Sequence, residues 1–238
     1  MSNVAGLHSH RTIRALLVAL LLISGVHANA QSGVATVAAE ATIFEDDQGA
    51  NGGGYDNICV GNLANLTTTR RAFVRFDLPE IPAGSTVTRV VYDFIQLRVR
   101  FMGPGAPKTA NLELRRVEEG WVEGTGDPFP AACGGGEAVP GVDWASAPLV
   151  MAAISATEFL PATDQTPITI DTDSGEDDDG LIADAQAWVD NPAGNFGWDY
   201  RVAEEVTLDN ARLLSPGSIT IHWTVPPLDF EDGFETLP

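Results

Sequence analysis

A chain of 238 residues that carries 33 acidic against 13 basic side chains has a formal net charge of -20, which argues against nucleic acid or an anionic membrane as its default partner. With 24 glycines, 15 prolines and only 19% charged residues, it is composed for strands and turns and not for a helical bundle.

The first thirty residues read as an export signal. His8, His10, Arg11 and Arg14 precede an apolar run from Ala15 to Ile23, and Ala28-Asn29-Ala30 is a small-residue cleavage site, which sets the mature start near Gln31. The apolar run is too short to span a bilayer, so a secreted protein without membrane insertion is expected. Arg11 and Arg14 leave with the signal and no acid does, which makes the exported portion more acidic still; His222 is the histidine that stays. Residues 31–226 are long enough for one all-β domain with a sizeable core, and 227–238 form a short acidic tail.

Val34 to Phe44 is β-branched and apolar enough for an opening strand. The following segment, Glu45 to Asp56, has no apolar period and reads as a solvated loop; Glu45, Asp46 and Asp47 offer hard oxygens for calcium, but at no EF-hand spacing. In Arg70 to Leu78 the period-two pattern puts Ala72, Val74, Phe76 and Leu78 on a core face and Phe73, Arg75 and Asp77 on a face that meets water or a ligand. Pro79 to Ser85 then turns the chain into a hairpin-like return. From Val87 to Phe101, Ile95, Leu97, Val99 and Phe101 alternate with Gln96, Arg98 and Arg100. Leu112, Leu114 and Arg116 alternate with Glu113, Arg115 and Val117, and these two strands are expected to be neighbours.

Trp121 to Trp144 is a Gly- and Pro-rich excursion that contains Cys133. An oxidising compartment and an even cysteine count favour a Cys59–Cys133 disulfide, which closes a loop of roughly 75 residues and is worth about 4 kcal/mol by chain entropy. Ile168 to Ile170 is a short strand. In the acidic run behind it, Asp171, Asp173 and Asp177 are candidate calcium ligands, while the plain alternative is a solvated charge run whose Asp178 or Asp179 caps a helix. That helix spans Leu181 to Val189, with Leu181, Ala185 and Trp188 on one face and Asp184 and Gln186 pointing elsewhere. Asn191 to Asn195 stops it. Phe196, Trp198, Tyr200 and Val202, and later Ile219, Ile221, Trp223 and Val225, mark two further strands; His222 points outward from the second.

Taken in order, Arg70 to Leu78 with Ile81 to Val87, Gly120-Trp121-Val122-Glu123-Gly124-Thr125-Gly126, Val142 to Pro148, Ala185-Gln186-Ala187-Trp188-Val189, Asn195-Phe196-Gly197-Trp198 and Ala211 to Ser215 resemble the secreted DNRLRE-domain proteins. The likeness covers nearly the whole exported portion. It implies a jelly-roll-like β-sandwich, extracellular, without known catalytic residues, and related to carbohydrate-binding modules. Asp199 and Tyr200 stand where that family usually has apolar residues, and Leu213 replaces a common Phe.

The exported portion has no H-E-x-x-H, no G-x-S-x-G and no Cys-His combination outside the expected disulfide, so no catalytic residue is expected. Trp188 and Trp223 share faces with aliphatics and belong in a core, whereas Trp121 and Trp144 lie in or beside loops and can stack on sugar rings. Arg75, Arg98, Arg100 and Arg115 lie on polar strand faces; side by side they form a guanidinium row suited to uronic-acid carboxylates. The opposing reading pairs these arginines with Asp77, Asp93 and Glu113, and the acidity of the chain favours it. The expected function is a secreted, non-catalytic polysaccharide-binding module with at most a structural calcium. A structural or adhesive surface protein and a polysaccharide-active enzyme are the alternatives.

Overall fold

The structure, a computed structural model, describes residues 29–63, 69–99, 108–126, 133–173, 179–203, 205 and 210–226. Its strands are β1 (Ala30–Phe44), β2 (Ile58–Asn62), β3 (Thr69–Asp77), β4 (Thr86–Val99), β5 (Ala110–Arg116), β6 (Ala156–Leu160), β7 (Thr166–Asp171), β8 (Trp198–Val202) and β9 (Arg212–Thr224), and the helix α1 is Asp179–Asp190. Residues Ala30–Val225 form one compact unit; the other unit, 1–29 with 226–238, lies almost wholly outside the described residues.

The strands pair antiparallel in the order β6-β5-β8-β3-β1-β9-β4-β7, with β2 bridging β3 and β9. Strand β1 is the hinge of this path. Its first half, Ala30 to Thr36, pairs with β9, and from Thr36 to Phe44 it pairs with β3 across a register shift between Val37 and Ala39. A bulge of this kind bends a strand and increases its twist, so the hydrogen-bonded path folds over into two layers. The Tyr200 hydroxyl of one layer donates to the Tyr92 hydroxyl of the other at 3.0 Å, and Phe76 meets Tyr92 edge-on at 5.8 Å. The fold is thus an all-β, jelly-roll-like sandwich with one short α-helix among the described residues.

Period-two patterning fills the space between the layers. Ala72, Val74 and Phe76 of β3, Trp198, Tyr200 and Val202 of β8, and Ile219, Ile221 and Trp223 of β9 are all buried there. Helix α1 closes one end with Leu181, Ala185 and Trp188, and Trp188 packs on Trp198 at 4.7 Å. Gln186 ties the helix to the start of β4: its Oε1 accepts from the Val87 amide at 2.8 Å and its Nε2 donates to the Ser85 carbonyl at 3.2 Å. Cys59 and Cys133 form the expected disulfide, buried against Leu213 with a Cα–Cα distance of 5.6 Å.

Several expectations need correction. Strands β4 and β5 are not neighbours; they lie in opposite layers, because β4 pairs with β7 and β9 while β5 pairs with β6 and β8. The link after β3 likewise crosses to the other layer and makes no hairpin, since β1 and β9 separate β3 from β4. Within β4 the buried face is Tyr92, Phe94 and Gln96, and Ile95 is 42% exposed. Two aromatic rings bury more apolar area than the Ile95 and Val99 side chains and so set the phase, with register shifts on either side to accommodate it. Gln96 is tolerated inside because its Nε2 donates to the Pro161 and Thr163 carbonyls at 2.8 and 2.6 Å. Asp184 does not point away from the core. It is buried, accepts from the Trp198 indole at 2.8 Å and pairs with Arg116 at 3.3 Å. Strands β2 and β6 have no counterpart in the sequence reading.

Candidate functional site

The second face of β3 does not open directly to water. Beyond β5 the chain folds back over the outer surface of β1 and β3, where Ala41, Ile43, Phe73, Val117 and Val142 form a second, smaller apolar cluster with Trp121, Trp144 and Phe196 at its margin. Backbone bonds hold this cover in place: the Val117 amide donates to the Gly197 carbonyl at 2.9 Å and the Val142 amide to the Val122 carbonyl at 2.7 Å. Trp121 packs on Phe73 at 5.8 Å and donates its indole N–H to the Phe196 carbonyl at 2.8 Å. Both Trp121 and Trp144 are half-buried, so each ring is anchored and still reaches solvent.

Beside these rings lies a group of guanidinium side chains. The register places Asp199 of β8 opposite Phe73 of β3 on one side and Arg115 of β5 on the other, with Arg201 opposite Glu113. Residues two apart on one strand share a face, so Arg71, Arg75, Arg115 and Arg201 all project from this outer surface. Arg71 forks onto Glu205 with Nε and Nη2 at 2.6 and 2.7 Å, and its guanidinium lies over the Trp144 ring 5.0 Å from the centroid. Arg115 donates to Glu113 at 2.7 Å and to the Ala152 carbonyl. Arg201 Nε donates to Asp199 at 2.6 Å. Half-buried Arg75 makes no ion pair among the described residues.

Asp199 sits at the centre of this group. Burial raises its pKa, against the pull of Arg201 and Arg71, and its Oδ1 has no hydrogen-bond partner among the described residues. Arg71 moves the other way: its ion pair with Glu205 raises its pKa, and the fork stays charged. The result is an arginine-rich surface whose fixed acids lie low in it and whose margin carries two indole rings.

The sequence-predicted residues divide accordingly. Arg75, Arg115, Trp121 and Trp144 belong to this surface; Arg98 does not, because it is exposed on β4 in the other layer. Arg100 lies outside the described residues. The guanidinium row across adjacent strands is therefore not formed as drawn from the sequence. Its place is taken by Arg71 and Arg201, which that reading missed although Arg71 shares the strand alternation of Phe73 and Arg75. The opposing reading, pairing across strands, is not met by these acids: Glu113 takes Arg115 but along β5 itself, and Asp93 accepts from the Thr169 hydroxyl at 2.5 Å.

Asp171 and Asp173, proposed for calcium, both face Arg89, whose Nε donates to Asp171 at 2.8 Å and lies 3.2 Å from Asp173. That guanidinium holds the Asp171 carboxyl down to a pKa of about 2. Asp177 lies outside the described residues. In the earlier loop, Glu45 accepts from the Thr69 amide at 2.9 Å and Asp46 pairs with Arg70 at 2.8 Å. Among the described residues no group of three His, Cys, Asp or Glu side chains is placed to hold a metal ion. His222 is half-buried on β9, and no helix among the described residues is long and apolar enough to cross a membrane. No protein-family model matches the chain, and no curated protein matches it either.

Proposed function

We propose that the chain is an exported, non-catalytic carbohydrate-binding module whose outer β3–β8 surface takes a uronic-acid polymer. The observation that carries this reading is the meeting of Arg71, Arg75 and Arg201 with the half-buried rings of Trp121 and Trp144 on one surface of an otherwise acidic molecule. Guanidinium forks match carboxylates in a plane, and an indole face gives a sugar ring an apolar seat, so a polymer of carboxylated sugars satisfies both. The likeness to DNRLRE-domain proteins points the same way. The buried disulfide fits an oxidising destination.

The experiment is affinity electrophoresis of the exported protein in gels containing a polyuronate or a neutral glucan. Retention by the polyuronate that weakens with salt is expected, since the recognition is charge against charge. Equal retention by both polymers, or by neither, refutes the reading. An adhesive surface protein is the second reading, favoured by Val122, Leu149 and Phe159, which are 71%, 56% and 54% exposed. It predicts concentration-dependent self-association in sedimentation without glycan retention.

A further inference from the structure

A second concavity opens on the edge where β1 leaves β9. The β1–β9 pairing ends at Thr36 and Ser218, and this edge of β9 pairs again only from Leu214, with β2, so Ser215 to Gly217 face the departing, bulged segment of β1 across a cleft of about 400 Å³. Val37, Ala39 and Pro216 give it an apolar side, and its ionisable lining is entirely acidic: Glu40, Asp56 and Glu123, with Ser215 as the one neutral polar side chain beside them. None of these three acids makes an ion pair with Lys, Arg or His among the described residues. Glu123 Oε1 accepts from the Glu40 amide at 2.8 Å, which fixes one carboxylate against the backbone that carries the next. Glu40 itself is 7% exposed, and its Oε2 is enclosed without a hydrogen-bond partner among the described residues.

A buried carboxylate oxygen left without a donor is costly, and two further acids beside it increase the cost. Among the described residues no donor meets this oxygen, and no cationic side chain lines the cleft. Such an arrangement attracts a cation, and its dimensions select which kind. A bare metal ion requires oxygens converging at about 2.0–2.6 Å, and no three acidic groups among the described residues are so placed. An alkylammonium group, by contrast, brings N–H donors to separated carboxylates and lays its carbon skeleton on the apolar walls. We propose that the cleft between β1 and β9 is a binding site for a small organic ammonium group, with Glu40, Asp56 and Glu123 as its counter-charges and Val37, Ala39 and Pro216 as its apolar seat. Crowding of the acids agrees with this: burial first, then Asp56 and Glu123, push the Glu40 carboxyl up to about 7, a shift that a bound cation reverses. The site shares no residue with the outer arginine surface and stands or falls separately from it.

The test is an NMR titration of the exported chain with ethanolamine hydrochloride at about pH 8, following the amides of Glu40, Glu123 and Gly217, with ethylene glycol as the uncharged comparator and calcium chloride as a competitor. Saturable shifts of these amides by ethanolamine alone are expected, with affinity weakened about tenfold in Glu40→Gln and in Glu123→Gln, the loss typical of one charge-assisted hydrogen bond. Glu123→Gln keeps the acceptor for the Glu40 amide, so it separates lost charge from lost structure. An equal response to ethylene glycol, no saturable shift, unchanged affinity in both variants, or displacement of ethanolamine by equimolar calcium overturns the proposal.

Discussion

Replacing Glu40 by Gln changes stability in a way that depends on pH, and the direction follows from its surroundings. Asp56 and Glu123 face it from the loop after β1 and from the outer cover, and Tyr92 of β4 and Tyr200 of β8 both feel its charge. Its carboxyl is raised from 4.5 to about 7, so the folded chain holds this proton more tightly than the unfolded chain does. The stability it contributes is fully present below pH 4.5 and is lost as the pH rises through about 7. At roughly 1.4 kcal/mol per unit the loss is at most about 3 kcal/mol, or about 10 °C in melting temperature for a domain of this size. Glutamine keeps the shape and removes the titration. Melting curves of wild type and Glu40→Gln between about pH 4 and pH 8.5 are therefore expected to converge at low pH and to separate in favour of the variant above neutrality. The difference between the two proteins cancels the acids remote from Glu40 and leaves its own titration with that of its neighbours Asp56 and Glu123. A constant difference at all pH values, or a variant less stable at pH 8, refutes the reasoning.

Reducing the Cys59–Cys133 bond is expected to cost about 2–4 kcal/mol, read as a lower guanidinium midpoint in dithiothreitol. Asp184→Ala leaves the buried Trp198 indole N–H without its acceptor, and a urea midpoint lowered by about 1–3 kcal/mol is expected, with Asp184→Asn recovering most of it. Gly197→Ala places a methyl group 1.9 Å from the Val74 carbonyl oxygen at a residue with φ of +80°, so it should destabilise by at least about 2 kcal/mol and disturb the β3–β8 pairing in hydrogen exchange. Arg71→Ala removes a half-buried ion pair and the contact with Trp144; it should change tryptophan fluorescence while costing about 1 kcal/mol.

The parts of the fold legible in the sequence were those written in a local period. The alternations of β3, β8 and β9 and the spacing of Leu181, Ala185 and Trp188 each named the buried face, because nothing long-range competed with them. In β4 two interleaved apolar sets were available, and the choice of Tyr92 and Phe94 over Ile95 and Val99 was made by rings in the opposite layer, which no local pattern contains. Strand β2 is buried at every position and β6 only at its two ends, so neither carries an alternation, and both are stabilised by partners distant in the chain. The site divides the same way. Alternation alone put Arg75 on an outer face, and loop context alone exposed Trp121 and Trp144. Assembling Arg98 with them required a sheet order that the sequence does not state, and the actual order carries Arg98 into the other layer and sets Arg115 opposite Asp199 and Arg201 opposite Glu113.

The most direct test of the outer surface compares Arg75→Ala with Arg98→Ala in polyuronate affinity gels, each beside its own melting curve. Arg75 lies on the β3–β8 surface without an ion pair of its own among the described residues, and Arg98 is exposed on the far layer, so neither change should lower the melting temperature by more than a few degrees. Loss of retention in Arg75→Ala with unchanged retention in Arg98→Ala is the predicted result. Equal loss in both, or full retention in Arg75→Ala, contradicts the assignment of the polymer to this surface.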